Sequence, residues 1–463
     1  MSVKSTHLFI LAFVFLLVCT QASAQLVKQF QDGDRVCFIG DSITQGGSYH
    51  SYINLYYLTR FPDRKIEIQN KGIGGETAGH VLSRFDQDIA RSRPTVSAVL
   101  LGMNDIVRSL YGRGRTDSIS LEKQEQAMQA YEANMSDLID RLAAIDSEVI
   151  CLTPSIYDQT AKLECQNNLG ANDGLGRCTD FIKSLGRARE LGVVDFYTTM
   201  LGINTRIQTT DPSATVVSQD RVHPEQDYGH FVMAYAFLKA QQVPKYVSKV
   251  TLDFYKHELL EEINATVSGL KFSKSSIACT ILEQALPFPQ TDWIARGLSA
   301  VPFENEMNQQ IFTVHGLQEG VYKMAIDGKY VGAWSGHELN SGVNLALIKH
   351  TPQFLQALEV KALNDRRSRY QGKMREIAYV FYRSGLARSN IDLGDEIEVS
   401  EYLDNKLKEI EGLPWHAYVK NQYVAYNDKV RQMNSIHSSL VDVQENLYEI
   451  NQPRVHHYEL TRQ

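Results

Sequence analysis

From Arg35 to about Val243, short apolar runs alternate with longer amphipathic segments, and this alternation constrains the fold more than any other feature of the chain. Strands are predicted over residues 35–39, 65–69, 96–101, 148–152 and 193–197. Helices are predicted over 49–61, 77–92, 121–144, 179–191 and 228–241. Apolar runs joined by crossover-length helices build a parallel sheet covered on both faces. In an open sheet of this kind the ligand crevice lies outside the carboxyl ends of the strands.

The segments at those strand ends carry chemistry. Gly40-Asp41-Ser42-Ile43-Thr44 follows the apolar run Val36-Cys37-Phe38-Ile39, where a sharp turn presents the Ser42 hydroxyl. Asn70-Lys71-Gly72-Ile73-Gly74-Gly75-Glu76-Thr77 follows the second strand and Gly102-Met103-Asn104-Asp105 the third. Asp220-Arg221-Val222-His223-Pro224 comes after the fifth, with Pro224 biasing His223 away from helical geometry. Ester cleavage needs a nucleophile, a base, a group that orients the base, and donors for the oxyanion. Ser42, His223 and Asp220 are the candidates for the first three roles, and they meet only if the four segments share one rim.

In this order the four blocks resemble those of the SGNH/GDSL hydrolase family, over roughly residues 33–245. The resemblance implies a flavodoxin-like α/β domain with a parallel five-stranded sheet. It implies a serine esterase working through an acyl-serine, with a Ser42–His223–Asp220 triad and an oxyanion hole of the Ser42 N–H, the Gly75 N–H and the Asn104 amide. Either Gly74 or Gly75 offers a permissive backbone; alignment on the family block points to Gly75. No metal or organic cofactor is expected.

The expected domain order is a signal peptide at 1–24, the hydrolase domain at 25–250, a β-rich accessory domain at 260–350 and a helical C-terminal region at 351–463. Lys4, the apolar run 8–18 and Ala22-Ser23-Ala24 read as a secretory signal, so the expected location is secreted or periplasmic. Strand-like runs at 265–272, 276–282, 310–315, 321–326 and 330–333 predict a small antiparallel sheet or sandwich, with a hairpin turn at Asp327-Gly328. Helices are predicted over 351–382, 399–411 and 415–447.

The net charge of −7 offers nucleic acid no electrostatic footing. The charged run Asp365-Arg366-Arg367-Ser368-Arg369 reads as a solvated helix face. Cys37 and Cys151 read as buried thiols, and Cys165 and Cys178, bracketing a polar glycine-rich loop, as a disulfide. Asp41 and Asp105 read as groups that bond local backbone, His50 and His80 as structural, and His456-His457 as part of a mobile tail. Asn134 and Asn264 head glycosylation-acceptor triplets.

The expected partner is a small ester or an acetylated glycan. Short-chain acetyl esters on carbohydrate are favoured, by architectural analogy with secreted family members that carry accessory regions. A lipase or arylesterase, an O-acyltransferase and, last, a non-catalytic binding protein on the same scaffold are the alternatives.

Overall fold

The computed structural model describes residues 27–112 and 116–463; the expected signal segment lies outside them. The first half alternates as β1 (Arg35–Gly40), α1 (Ser42–Gly46), α2 (Ser48–Arg60), β2 (Glu67–Gly72), α3 (Ala78–Ser83), β3 (Val96–Leu100), α4 (Ser118–Ala144) and β4 (Glu148–Leu152). It continues through α5 (Ala171–Ala188), β5 (Gly192–Val194), α6 (Phe196–Gln208) and α7 (Gly229–Ala240). The five strands form one parallel sheet in the order β2-β1-β3-β4-β5, a flavodoxin-like arrangement. Every side chain of β3 is buried, because helices cover both faces.

Three local expectations fail for identifiable reasons. The helix expected over 77–92 stops at Ser83 and gives way to a wider π-type turn over Phe85–Ile89, which lets Arg84 and Asp88 turn inward. The fifth strand ends at Val194 because Asp195 accepts from the Thr198 N–H and caps α6. The segment between Cys165 and Cys178 is not loop throughout, since α5 begins at Ala171.

The predicted disulfide is also absent. Cys165 and Cys178 are both free, and Cys178 is buried on α5 with its thiol directed at Met128 Sδ, 3.8 Å away. The apolar face of α5 is what buries it.

The second half contains β6 (Tyr246–Asp253), β7 (Glu258–Ile263), β8 (Ala265–Phe272), β9 (Ser276–Glu283), α8 (Ala295–Ala300), α9 (Phe303–Met307), β10 (Gln309–His315), β11 (Val321–Ile326), β12 (Lys329–Ser335), α10 (Gly336–Ser341) and β13 (Val343–Asn344). After these come α11 (Pro352–Arg383), α12 (Glu396–Glu409), α13 (His416–Val424), α14 (Tyr426–Arg431), α15 (Met433–Ile450) and β14 (Val455–Arg462). Two sheets, ordered β13-β10-β6-β7 and β12-β11-β14-β9-β8, share one apolar core. The pairing is antiparallel except between β6 and β10, which run parallel.

The β-rich region therefore begins at Tyr246, inside the expected hydrolase segment, and takes its central strand β14 from the expected helical region. His456-His457 is not a tail. In β14 His456, Tyr458 and Leu460 point inward in strict alternation, and His456 Nδ1 pairs with Asp327 Oδ2 at 2.6 Å. Two histidines disguise the period-2 pattern as polar sequence. Asn264, at the β7–β8 turn, donates its amide to Val247 O at 2.6 Å.

The two halves are not beads on a string. Leu286, Phe288, Ile294 and Phe303, with Ala357 and Val360 of α11 and Val443 and Leu447 of α15, belong to the same buried cluster as the parallel sheet. The helix α11 lies along the outer edge of β2, where the backbone carbonyls have no neighbouring strand. Arg367 and Gln371 both donate to Ile68 O, at 2.7 and 2.6 Å, and Arg375 to Gly72 O at 3.1 Å. Tyr448 of α15 donates to Ile66 O at 2.7 Å. The spacing of four residues in 367, 371 and 375 puts the three donors on one helix face. They close a sheet edge that would otherwise invite intermolecular pairing. Arg367, expected on a solvated face, is only 1% exposed for this reason.

Candidate active site

The turn that presents Ser42 depends on two close approaches. A Cβ on Gly40 would meet Leu100 O at 2.6 Å and Thr44 Oγ1 at 2.3 Å, so only glycine lets β1 end this tightly against β3. Asp41 then caps α1 by accepting from the Ile43 N–H at 2.9 Å. Its carboxyl is buried, and burial pushes its pKa up to about 6.

Residues far apart in sequence converge on Ser42. His223 Nε2 lies 2.8 Å from Ser42 Oγ across 181 positions. His223 Nδ1 lies 2.5 Å from Asp220 Oδ2, while Asp220 Oδ1 accepts from the Ser218 hydroxyl and the Val222 and His223 N–H groups. The hydrogen bond to Asp220 raises the His223 pKa above its ordinary value, against a smaller opposing effect of burial. Partial burial acts to raise the Asp220 carboxyl, but the hydrogen bonds from His223, Ser218 and the backbone outweigh it and hold the pKa far below the usual range.

The candidate oxyanion donors lie beside this row. Gly75 sits at φ +75°, and neither its N–H nor that of Ser42 has a partner among the described residues. The Gly74 N–H is occupied by Gln45 Oε1 at 2.6 Å, which leaves Gly75 as the available donor of the two. Asn104 Nδ2 donates to Glu76 O at 2.9 Å and makes a longer contact with Asp41 Oδ2 at 3.3 Å. That second contact exceeds the usual hydrogen-bond range, so an arriving oxyanion can compete for the proton.

Asp105 does more than bond local backbone. It accepts from Gly102 N–H at 3.0 Å and, 27 positions away, from Ala78 N–H at 2.8 Å, tying the third block to the second. Burial raises its pKa to about 7. His50 and His80 are held structurally, His50 by Thr44 O at 3.1 Å and His80 in a capping box with Thr77.

Two arginines escaped the sequence reading. Arg221, at φ +67° and 2% exposed, donates to Asp158 O and Ala161 O, both at 2.9 Å, and to Leu163 O at 3.1 Å. It pins the loop between Asp220 and His223 to the segment after β4. Arg108 donates to Met103 O at 2.6 Å and lies a longer 3.3 Å from Asn104 Oδ1, beside the Asn104 amide. The spacing of four residues between Asn104 and Arg108 is the signal that was available for the second; nothing marks Arg221 except its place inside the block. Among the described residues no cluster of three His, Cys, Asp or Glu side chains is placed to hold a metal ion.

A hydroxyl, an imidazole and a carboxylate in line at the rim of a parallel sheet, with free N–H groups alongside, form an arrangement suited to acyl transfer. The chain matches the model of the GDSL-like lipase/acylhydrolase family over residues 38–227. Of solved structures, that of a gut microbial diltiazem-metabolizing enzyme is 32% identical, and the match covers 95% of this chain and 100% of that one with a TM-score of 0.85. The acetylxylan esterase of Geobacillus stearothermophilus is 25% identical over 222 residues, which is 45% of this chain and 93% of that protein. The chain belongs to the GDSL-like lipase/acylhydrolase family and is a carboxylic ester hydrolase.

Proposed function

We propose that the protein is an exported esterase that removes acetyl groups from carbohydrate, with Ser42 as nucleophile. The contact of 2.8 Å between His223 Nε2 and Ser42 Oγ, continued at 2.5 Å to Asp220, is the observation that supports Ser42 as the nucleophile of an acyl transfer. Ser42 Oγ attacks the ester carbonyl as His223 Nε2 takes its proton. Asp220 holds the imidazole in the tautomer that leaves Nε2 free and stabilises it once charged. The carbonyl oxygen becomes an oxyanion facing the N–H groups of Ser42 and Gly75 and the Asn104 amide. Collapse breaks the bond to the alcohol, which receives the proton from His223. Water, activated by the same imidazole, then releases acetate and restores Ser42.

The likeness to an acetylxylan esterase supports a glycan substrate. The likeness to a diltiazem-metabolizing enzyme, which extends over both halves of the chain, supports a second reading: acetate removal from small aromatic molecules, diltiazem itself being an acetate ester. The N-terminal segment with its small-residue cleavage site supports export.

The test is a substrate panel of aryl esters of increasing acyl length, acetylated xylo-oligosaccharides and diltiazem, run on the full chain and on Ser42→Ala. Acetyl esters are expected to lead the panel, with activity lost in the folded variant. A preference for long acyl chains would favour a lipase instead. Near-normal turnover by folded Ser42→Ala would remove Ser42 from the mechanism. N-terminal sequencing of the protein from culture medium or periplasm checks export, and an intact Met1 there would count against cleavage.

A further inference from the structure

At the carboxyl end of α11 two arginines stand without a carboxylate. Arg383 closes α11 and Arg388 follows one short turn later; both are exposed, and neither forms an ion pair among the described residues. They line a cleft of about 130 Å³ together with His80, Ser83 and Gln87. The carboxylate among the lining residues, Glu76, is already bound by Arg84 through both oxygens at 2.7–3.1 Å.

The arginines in this cleft meet no anionic acceptor. His80 Nδ1 lies 3.1 Å from both the Thr77 N–H and the Thr77 hydroxyl. His80 Nε2 lies 3.4 Å from Arg383 Nη1. An imidazole, not a carboxylate, is therefore what Arg383 faces across the cleft. Burial first, and then the charges of Arg383, Arg388 and Arg84, depress the His80 pKa, which marks the field in the cleft as positive.

The cleft adjoins the reacting centre. Arg383 Nη2 lies 3.6 Å from where a Cβ on Gly75 would sit, and Gly75 offers the free N–H described above. Tyr379, one turn earlier on α11, lies 3.6 Å from the corresponding point on Gly74, itself 3.8 Å from Ser42 Cβ. A helix of the C-terminal region thus contributes the wall of the site next to the acyl position.

We propose that this cleft is a subsite for an anionic substituent, a carboxylate or a sulfate, on the ester substrate, so that the enzyme acts on acylated acidic glycans in preference to neutral ones. The proposal rests on the reading of Ser42 and His223 as the acyl-transfer centre. A planar guanidinium pairs with two oxygens of such a group at once.

The test compares kcat/KM of the full chain on an acetylated oligogalacturonide, an acetylated sulfated sugar and an acetylated xylo-oligosaccharide, with Arg383→Ala, Arg388→Ala and Arg383→Lys alongside. The wild type is expected to favour one of the two acidic esters by about tenfold or more, in line with charge-assisted hydrogen bonds. Arg383→Ala is expected to abolish that preference chiefly through KM, and Arg383→Lys to restore part of it. Whichever acidic ester leads identifies the anion. Equal treatment of acidic and neutral esters by the wild type, or a preference that survives both alanine variants, overturns the proposal.

Calorimetric titration of Ser42→Ala with the deacetylated oligogalacturonide and the sulfated sugar separates this from the catalytic reading. Binding that weakens when Arg383→Ala is added supports the subsite even if Ser42 proves not to be the nucleophile. Binding of both no tighter than a neutral oligosaccharide overturns it.

Discussion

Arg375 Nε donates to Gly72 O at 3.1 Å, joining a helix near the end of the chain to the strand that leads directly into Gly74 and Gly75. The same guanidinium reaches Asp88 at 2.9 Å, where Lys71 and Arg84 also converge. The geometry of one candidate oxyanion donor is therefore set partly from outside the parallel domain. Removing the second half would uncover the Ile66, Ile68 and Gly72 carbonyls along with the apolar faces of α11 and α15, so the full chain is the proper object for each test below.

Asp88→Asn is expected to destabilise the protein by about 3–5 kcal/mol, the usual effect of removing one partner from a buried ion cluster. Burial alone would raise the Asp88 carboxyl, but Arg375, Lys71 and Arg84 outweigh it and hold the pKa far below the ordinary value. A depressed folded-state pKa contributes stability above about pH 3.9 and loses it as pH falls toward the folded value. Urea unfolding at neutral and acidic pH checks both points: the wild type loses stability on acidification more steeply than the variant.

On the proposed mechanism the acid limb of kcat/KM reports the protonation of His223, which would have to be neutral to accept the Ser42 proton. Because the bond to Asp220 raises the His223 pKa, that limb is expected above pH 6.5. Asp220→Asn removes the cause, so the limb moves to lower pH while the rate at neutral pH falls by about 10³–10⁴-fold. A limb that stays in place would disconnect Asp220 from the base.

Asn104→Ala is expected to lower kcat by about 10²–10³-fold with a smaller change in KM, since its amide acts on charge that develops only during reaction. An unchanged kcat with a raised KM would make Asn104 a binding group.

Arg221→Ala removes the guanidinium from the carbonyls of Asp158, Ala161 and Leu163, of which Ala161 O keeps the Leu163 N–H at 3.0 Å. Arg221 is a positioning residue, so kcat is expected to fall while the acid limb keeps its midpoint, because Asp220 still faces His223. A variant with full activity would mean that the loop holds its shape without the arginine.

Of the five described cysteines, four are buried, and burial pushes the Cys37, Cys151 and Cys279 thiols up to about 12 and Cys178 higher still. Ellman's reagent is expected to modify Cys165 in the native protein and the other four only after unfolding. A Cys165–Cys178 crosslink in non-reduced peptide mapping would contradict the structure.

Much of the candidate site was legible in the chain because its parts are local. A strand that must end against its neighbour demands Gly40, a cap demands Asp41, and Pro224 keeps Asp220 and His223 in a turn; such requirements leave marks within five or six residues. The strand β11 and the helix α11 were legible for the same reason. The rest depended on contacts between distant segments. Arg367 looked like a solvated charge and is buried because a sheet edge 299 positions away needs a donor. His456 looked like a tail and packs into a sandwich, where Asp327 Oδ2 pairs with its Nδ1. Arg383 reads as one more basic residue until α11 brings it beside Gly75. Sequence determined which groups face one another across a turn; which groups face one another across the molecule was decided by edge strands and buried polar atoms that find their partners only when the chain is closed.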